Sequence, residues 1–167
     1  SGSGGIIFYE NTNANWATQD GWRYLEIAPA VGEQGALGVN QFIWSTVANQ
    51  SAGTNALVGL GKFNTMKIMV QNNFGESAAK KATEYTSTIG SITYNDWYLP
   101  SRDEFLYINN NDLSGLADLY WDYWTSTESS LTNAYYIYGV STTEHQGVKY
   151  SASVEEKRQV RPIRAFR

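Results

Sequence analysis

The chain has no cysteine and a single histidine, His145. The first absence removes disulfide frameworks, thiolate metal sites and thiol nucleophiles; the second removes multi-histidine metal centres. No apolar run approaches the roughly 20 residues a helix needs to cross a bilayer, so direct membrane insertion is not expected. Charged residues are sparse at 17%, yet 42% hydrophobic residues are too many for a disordered chain. No Gly-x-Ser-x-Gly or His-Glu-x-x-His motif occurs. Gly59-Leu60-Gly61-Lys62 has the look of a phosphate loop, but Ala56 stands in place of its first glycine and Phe63 in place of its Ser/Thr. Gly59 and Gly61 are therefore read as permitting a tight turn before a helix. No cofactor is expected.

What is abundant is aromatic. Twelve tyrosines stand beside six tryptophans and six phenylalanines. A ring with a polar tip suits surfaces that are partly wet and partly buried. The 167 residues suffice for one domain with a real core. Residues 1–5 read as a linker or cloning remnant and residues 6–167 as a single domain.

Charge is uneven. Residues 149–167 hold six cationic side chains against two acids, whereas residues 1–148 hold six against fourteen. An acidic body argues against general nucleic-acid binding. The C-terminal cations either pair with acids of the body or meet an anionic partner, with Lys149, Lys157 and Arg158 as a local basic patch.

Periodicity places a first strand at Ile6–Tyr9 and a second over 22–28, stopped by Pro29. Residues 30–60 have little periodicity and read as a long loop pinned by Phe42, Ile43 and Trp44. A helix is expected with Asn64 as N-cap and Met66, Met69 and Val70 on its inner face. A second helix shows a small face of Ala78, Ala79, Ala82 and Tyr85, with Lys80, Lys81 and Glu84 outward. Ser101 to Glu104 is a capping box opening a third. From Tyr120 to Arg167 the pattern is an antiparallel meander, with Gly139 as a bulge and Pro162 forcing an edge or a break.

Two clusters invite chemistry. Asp96, Asp103, Glu104, Asp118, Asp122 and Glu128 lie among Trp97, Trp121 and Trp124, and a carboxylate pair beside aromatic platforms is what a polysaccharide-acting enzyme needs. Against that, Glu104 has its capping role. Asn109, Asn110, Asn111, Asp112 and Ser114 form an oxygen-rich loop, but one acid is few for calcium, and a solvated helix end explains it as well.

Several blocks carry a family resemblance: Gly4–Tyr9, Gly61–Thr65, Asp96–Glu104, Tyr123–Glu128 and Val160–Phe166. In this order they resemble the C-terminal domain family of the Legionella collagen-like adhesin, found in bacterial surface proteins and phages. The resemblance implies an α+β, C-type-lectin-like fold, with two to three helices packed on small antiparallel sheets with long loops. It implies a non-catalytic adhesion module at a bacterial cell surface, secreted, or on a phage virion. The partner would be a glycan, sulfated or not, or a host or cell-surface protein, and the assembly a homotrimer. Some lectin-like relatives are variable proteins of diversity-generating retroelements. The Glu-Pro-Asn and Gln-Pro-Asp motifs of calcium lectins are absent, so no metal is implied.

On this reading the motif residues are scaffold. Trp97 and Trp124 are expected in the core with their indole N–H groups satisfied by backbone, and Arg161 and Arg164 paired with acids such as Glu104 or Glu128. The ligand-binding residues are then sought in the Tyr- and Ser-rich stretch between the motifs: Ser129, Asn133, Tyr135, Tyr136, Tyr138, Thr143, Glu144, His145, Gln146 and Tyr150. Tyrosine and serine on a rigid frame give large contact area with adaptable hydrogen bonds. The alternative is that alternate tyrosines simply cover the sheet. Two further readings are an enzyme using carboxylates near Asp103 and Glu128, and a trimerisation domain of a surface fibre.

Overall fold

The computed structural model describes residues 2–29, 41–111, 119–139, 141–150 and 156–167. They form an α+β arrangement of short helices and three small antiparallel sheets. β1 (Ile6–Glu10) pairs with β2 (Tyr24–Ile27), and β2 with β8 (Ile163–Phe166), so the first and last strands share one sheet. A register shift between Ile7 and Tyr9 turns Phe8 into the core. β8 begins immediately after Pro162 and lies at the sheet edge, where a residue without an N–H is tolerated. Ser3, in the stretch expected to be a linker, is fully buried and its hydroxyl donates to Glu26.

A four-residue helix, α1 (Trp16–Gln19), interrupts the loop between β1 and β2. After the irregular segment 41–60 comes α2 (Gly61–Gln71), which starts three residues before the expected cap. Asn64 is inside the helix, not at its N-cap. Its amide accepts from the Asn55 N–H at 2.9 Å and donates to the Asn55 carbonyl at 2.6 Å, a tertiary clamp on the preceding loop. The expected inner face is also rotated. Gly61, Asn64, Thr65 and Ile68 are buried and Met69 packs partly buried against the core, while Met66 and Val70 are exposed. The helix ends at Asn72, followed by Asn73 and Phe74 in left-handed conformations.

α3 (Ala78–Glu84) buries its three alanines as expected. Lys80 and Lys81 pair with Glu76 and Glu84 on the outer side. Tyr85 lies just past its end and packs edge-on against Trp97, 5.0 Å between centroids. A hairpin follows, β3 (Ser87–Ile89) and β4 (Ile92–Tyr94), turning at Gly90 with φ 62°, an element that the expected strands and helices do not include. α4 (Arg102–Asn110) opens with the expected capping box of Ser101 and Glu104.

β5 (Asp122–Glu128), β6 (Asn133–Tyr138) and β7 (Glu144–Val148) make the expected meander, in that spatial order. β8 leaves it to join the terminal sheet. Gly139 falls just beyond β6, where a Cβ would meet the Leu119 backbone at 2.6 Å.

Two hydrophobic clusters fill the interior. One packs Phe105 and Ile108 of α4 against Tyr123 and Ile137 of the meander and Leu25, Ile27 and Ile163 of the terminal sheet. The other packs Trp44, Ile68, Leu99, Trp124, Ala134 and Val160 around the alanine face of α3. The meander therefore has a core on each side.

Candidate functional site

The scaffold around the meander is pinned by polar anchors. Trp44 donates its indole N–H to the Thr125 carbonyl at 2.7 Å, Trp124 to Phe42 at 2.7 Å, and Trp97 to Tyr94 at 3.2 Å. Trp97 and Trp124 are thus core rings satisfied by backbone, as expected. Arg164 pairs with acids as expected, but with others than Glu104 and Glu128. Arg164 pairs with Glu26 and Asp96, and the Arg161 Nε donates to the Ala28 carbonyl at 2.8 Å.

Glu104 and Glu128 serve other ends. Glu104 is fully buried and accepts from the N–H groups of Gly59 at 2.9 Å and Ser101 at 2.6 Å. Burial pushes its carboxyl up to about 7, against the opposing pull of these amides. Glu128 holds the 51–54 turn, accepting from the N–H groups of Ala52, Gly53 and Thr54 and pairing with Lys149 at 2.8 Å. Burial raises its pKa, but Lys149 and the amides outweigh that, and the carboxyl titrates below the ordinary range. Asp103 pairs with its neighbour Arg102. These carboxylates are committed to structure. Asp118 and, of the oxygen-rich loop, Asp112 and Ser114 lie outside the described residues. Among the described residues no group of three or more acids or histidines is placed to hold a metal ion.

The expected basic patch dissolves. Lys149 is wholly buried, its ammonium shared between Glu128 and the Gln50 carbonyl and set 5.1 Å from the Trp44 ring centroid. Arg158 is drawn inward, 3.8 Å from the Tyr136 ring and 4.9 Å from that of Trp124, and paired with Glu156. Lys157 alone of the three is an exposed side chain.

Strand alternation sends the expected ligand-binding residues of β6 and β7 to both sides of the meander. Tyr136, Tyr138 and His145 share the face that carries Trp124 and Arg158. Tyr136 is half-buried between Arg158 and His145, whose ring stacks on it at 5.4 Å. Tyr138 is 44% exposed. Tyr135, Glu144 and Gln146 share the opposite face, with Ile137 in the core beneath α4. There Arg102 lies 5.2 Å from the Tyr135 ring and 3.9 Å from Glu144. Thr143 is exposed in the β6–β7 turn, where the Ser141 hydroxyl donates to its carbonyl at 3.2 Å. Ser129 and Asn133 frame the β5–β6 turn and are half-buried, as is Tyr150 after β7. The exposed subset is therefore Tyr138 with the run Thr143, Glu144, His145 and Gln146. Arg102 and Arg158, the cations against the Tyr135 and Tyr136 rings, were not among the ten expected ligand-binding residues. An arginine near a tyrosine in space has no local sequence signal.

Neither a scan of family models nor a search of curated proteins finds a match to this chain.

Proposed function

We propose that the chain is a non-catalytic, C-type-lectin-like binding module at the tip of a bacterial or phage surface protein. It takes a glycan or a cell-surface protein through Tyr138 and the Thr143–Gln146 run, with Tyr135 and Tyr136 as their supporting rings. The observation that carries this reading is the two-sided anchoring of the meander. Its buried positions are fixed by Trp124, Ala134 and Ile137, while the outermost strand presents Glu144, His145 and Gln146 to solvent in a row. A rigid frame with an exposed, chemically varied edge keeps the entropy cost of binding low.

The fold assignment is supported by the first and last strands meeting in one sheet, with helices between them and the irregular 41–60 segment pinned by Trp44. The non-catalytic reading is supported by the committed states of Glu104, Glu128 and Asp103. Homotrimeric assembly and diversification by a retroelement belong to the same reading. The second would show as AAC and AAT codons concentrated in the meander, with a near-repeat elsewhere in the genome.

The test is Tyr138→Ala combined with His145→Ala. Exposed substitutions usually cost within about 0.5 kcal/mol each, so the melting temperature should hold. A tyrosine buried in an interface is worth about 2 kcal/mol or more, so capture on a glycan array or on a cell surface should fall strongly. Normal capture by a folded double variant would move the site elsewhere.

A further inference from the structure

A cleft that shares no residue with the meander lies between β1, the α1 loop and the start of α2. Two depressions, of about 280 and 360 Å³, meet there and have Asp20, Trp22, Gly59 and Phe63 in common. Each is near the lower end of the size of a small-ligand site, roughly 300–1,000 Å³. Gly59, at φ 89°, is what allows the approach: a Cβ there would stand 2.9 Å from the Trp22 ring.

The walls are aromatic and unsatisfied. Trp22 is half-buried against Tyr9, 6.0 Å between ring centroids. Unlike those of Trp44, Trp97 and Trp124, its indole N–H donates to no acceptor among the described residues. Phe63 is 65% exposed, unusual for a phenylalanine in the first turn of a packed helix. The polar rim is built. Asn11, itself 8% exposed, donates to Asp20 Oδ2 at 2.8 Å, and Asn13 donates to the same oxygen at 3.1 Å. Asp20 is thereby oriented with its Oδ1 unpartnered among the described residues. Across the cleft Lys62 makes no hydrogen bond or ion pair among the described residues.

The geometry points to a saccharide site that takes one neutral pyranose unit of a glycan. The apolar face of a pyranose lies on an aromatic ring, which Trp22 and Phe63 provide. Its hydroxyls each donate and accept, and the rim offers both functions: the free Asp20 oxygen as acceptor, with the Trp22 N–H and the Lys62 ammonium as donors. One carboxylate and one ammonium leave the cleft with no net charge, which suits a neutral ring better than a sulfated or uronic one.

The experiment is saturation-transfer NMR with tryptophan fluorescence on the full chain. The probes are the methyl glycosides of glucose, galactose, mannose and N-acetylglucosamine, with heparin disaccharide as the anionic arm. At least one neutral glycoside should bind and shift the tryptophan emission. Phe63→Ala and Asp20→Asn should each weaken it fivefold or more with the melting temperature unchanged. The Tyr138→Ala, His145→Ala variant should bind it normally, so that failure of the meander site and failure of the cleft are read separately. Absence of binding by every neutral glycoside would overturn the proposal. So would binding of heparin disaccharide alone, or affinity that survives both cleft substitutions.

Discussion

The two glutamate anchors of the 50–61 segment are built on opposite principles. At one end of the segment Glu128 has a cation: Lys149 at 2.8 Å, together with three backbone amides. At the other end Glu104 is fully buried and held by N–H groups of Gly59 and Ser101. Both fix a turn by gathering amides that would otherwise lack acceptors. They differ in where burial leaves the carboxyl: below the ordinary range at Glu128 and near 7 at Glu104. Glu128 is less deeply buried and has a full countercharge besides its amides, whereas Glu104 meets complete burial with amides alone. The same residue type therefore gives one anchor that needs its charge and another that carries its charge at a cost.

Breaking the cationic anchor should have the largest effect. Lys149→Met leaves Glu128 buried without its countercharge, and the loss should be about 3 kcal/mol in chemical denaturation. Adding Glu128→Gln should restore part of it, since two neutral groups strand less than one orphaned charge. A double variant no more stable than Lys149→Met would show the amides alone to suffice, erasing the contrast between the anchors.

The amide anchor is most sensitive to space. Gly61 is buried at the start of α2, where a Cβ would collide with Glu104 Oε2 and stand 2.9 Å from the Ser101 nitrogen and 3.0 Å from the Leu99 carbonyl. The carboxylate is pinned, so it cannot swing aside. Gly61→Ala should cost about 2 kcal/mol. An unchanged denaturation midpoint would mean that the junction is loosely packed.

These anchors also show what was legible in the sequence. The capping box could be read because Ser101 and Glu104 act on their own backbone, three residues apart. The alanine face of α3 was legible for the same local reason. The start of α2 was not. Asn64 has the side chain of a cap, but its amide is taken by Asn55 across a loop, and the helix instead starts at a glycine crowded by Glu104. The tyrosine stretch was legible as a sheet but not as two faces with different fates. That division depends on α4 covering one side and on residues 42–44 and 158–160 covering the other, contacts more than 80 residues apart in the case of Trp124 with Phe42. The hairpin at Gly90 carried a readable alternation of Ser, Thr and Ile, but three-residue strands give too little pattern to stand out.

The smallest effect is a matter of sign. At Glu104 the folded chain keeps its proton up to about 7, whereas the unfolded chain releases it near the ordinary carboxylate value of 4.5. Between these limits the folded state binds more protons, so stability falls as pH rises from about 5 to 8. At Glu128 the folded value is depressed, so its contribution is present above the unfolded value and is lost as pH falls through the folded one. The melting temperature should therefore peak near pH 5, declining by a few degrees toward pH 8 and more steeply below pH 4. Glu104→Gln removes the titrating group, but its single carbonyl oxygen can accept from only one of the Gly59 and Ser101 amides, which bond to different carboxylate oxygens, so the variant should be less stable at every pH while the decline from pH 5 to 8 flattens and the acid limb stays. Glu128→Gln, combined with Lys149→Met to avoid an orphaned ammonium, should do the reverse, softening the acid limb and leaving the neutral one. A Glu104→Gln profile that still declines between pH 5 and 8 would place the titration elsewhere and show that the amides alone keep Glu104 ionised.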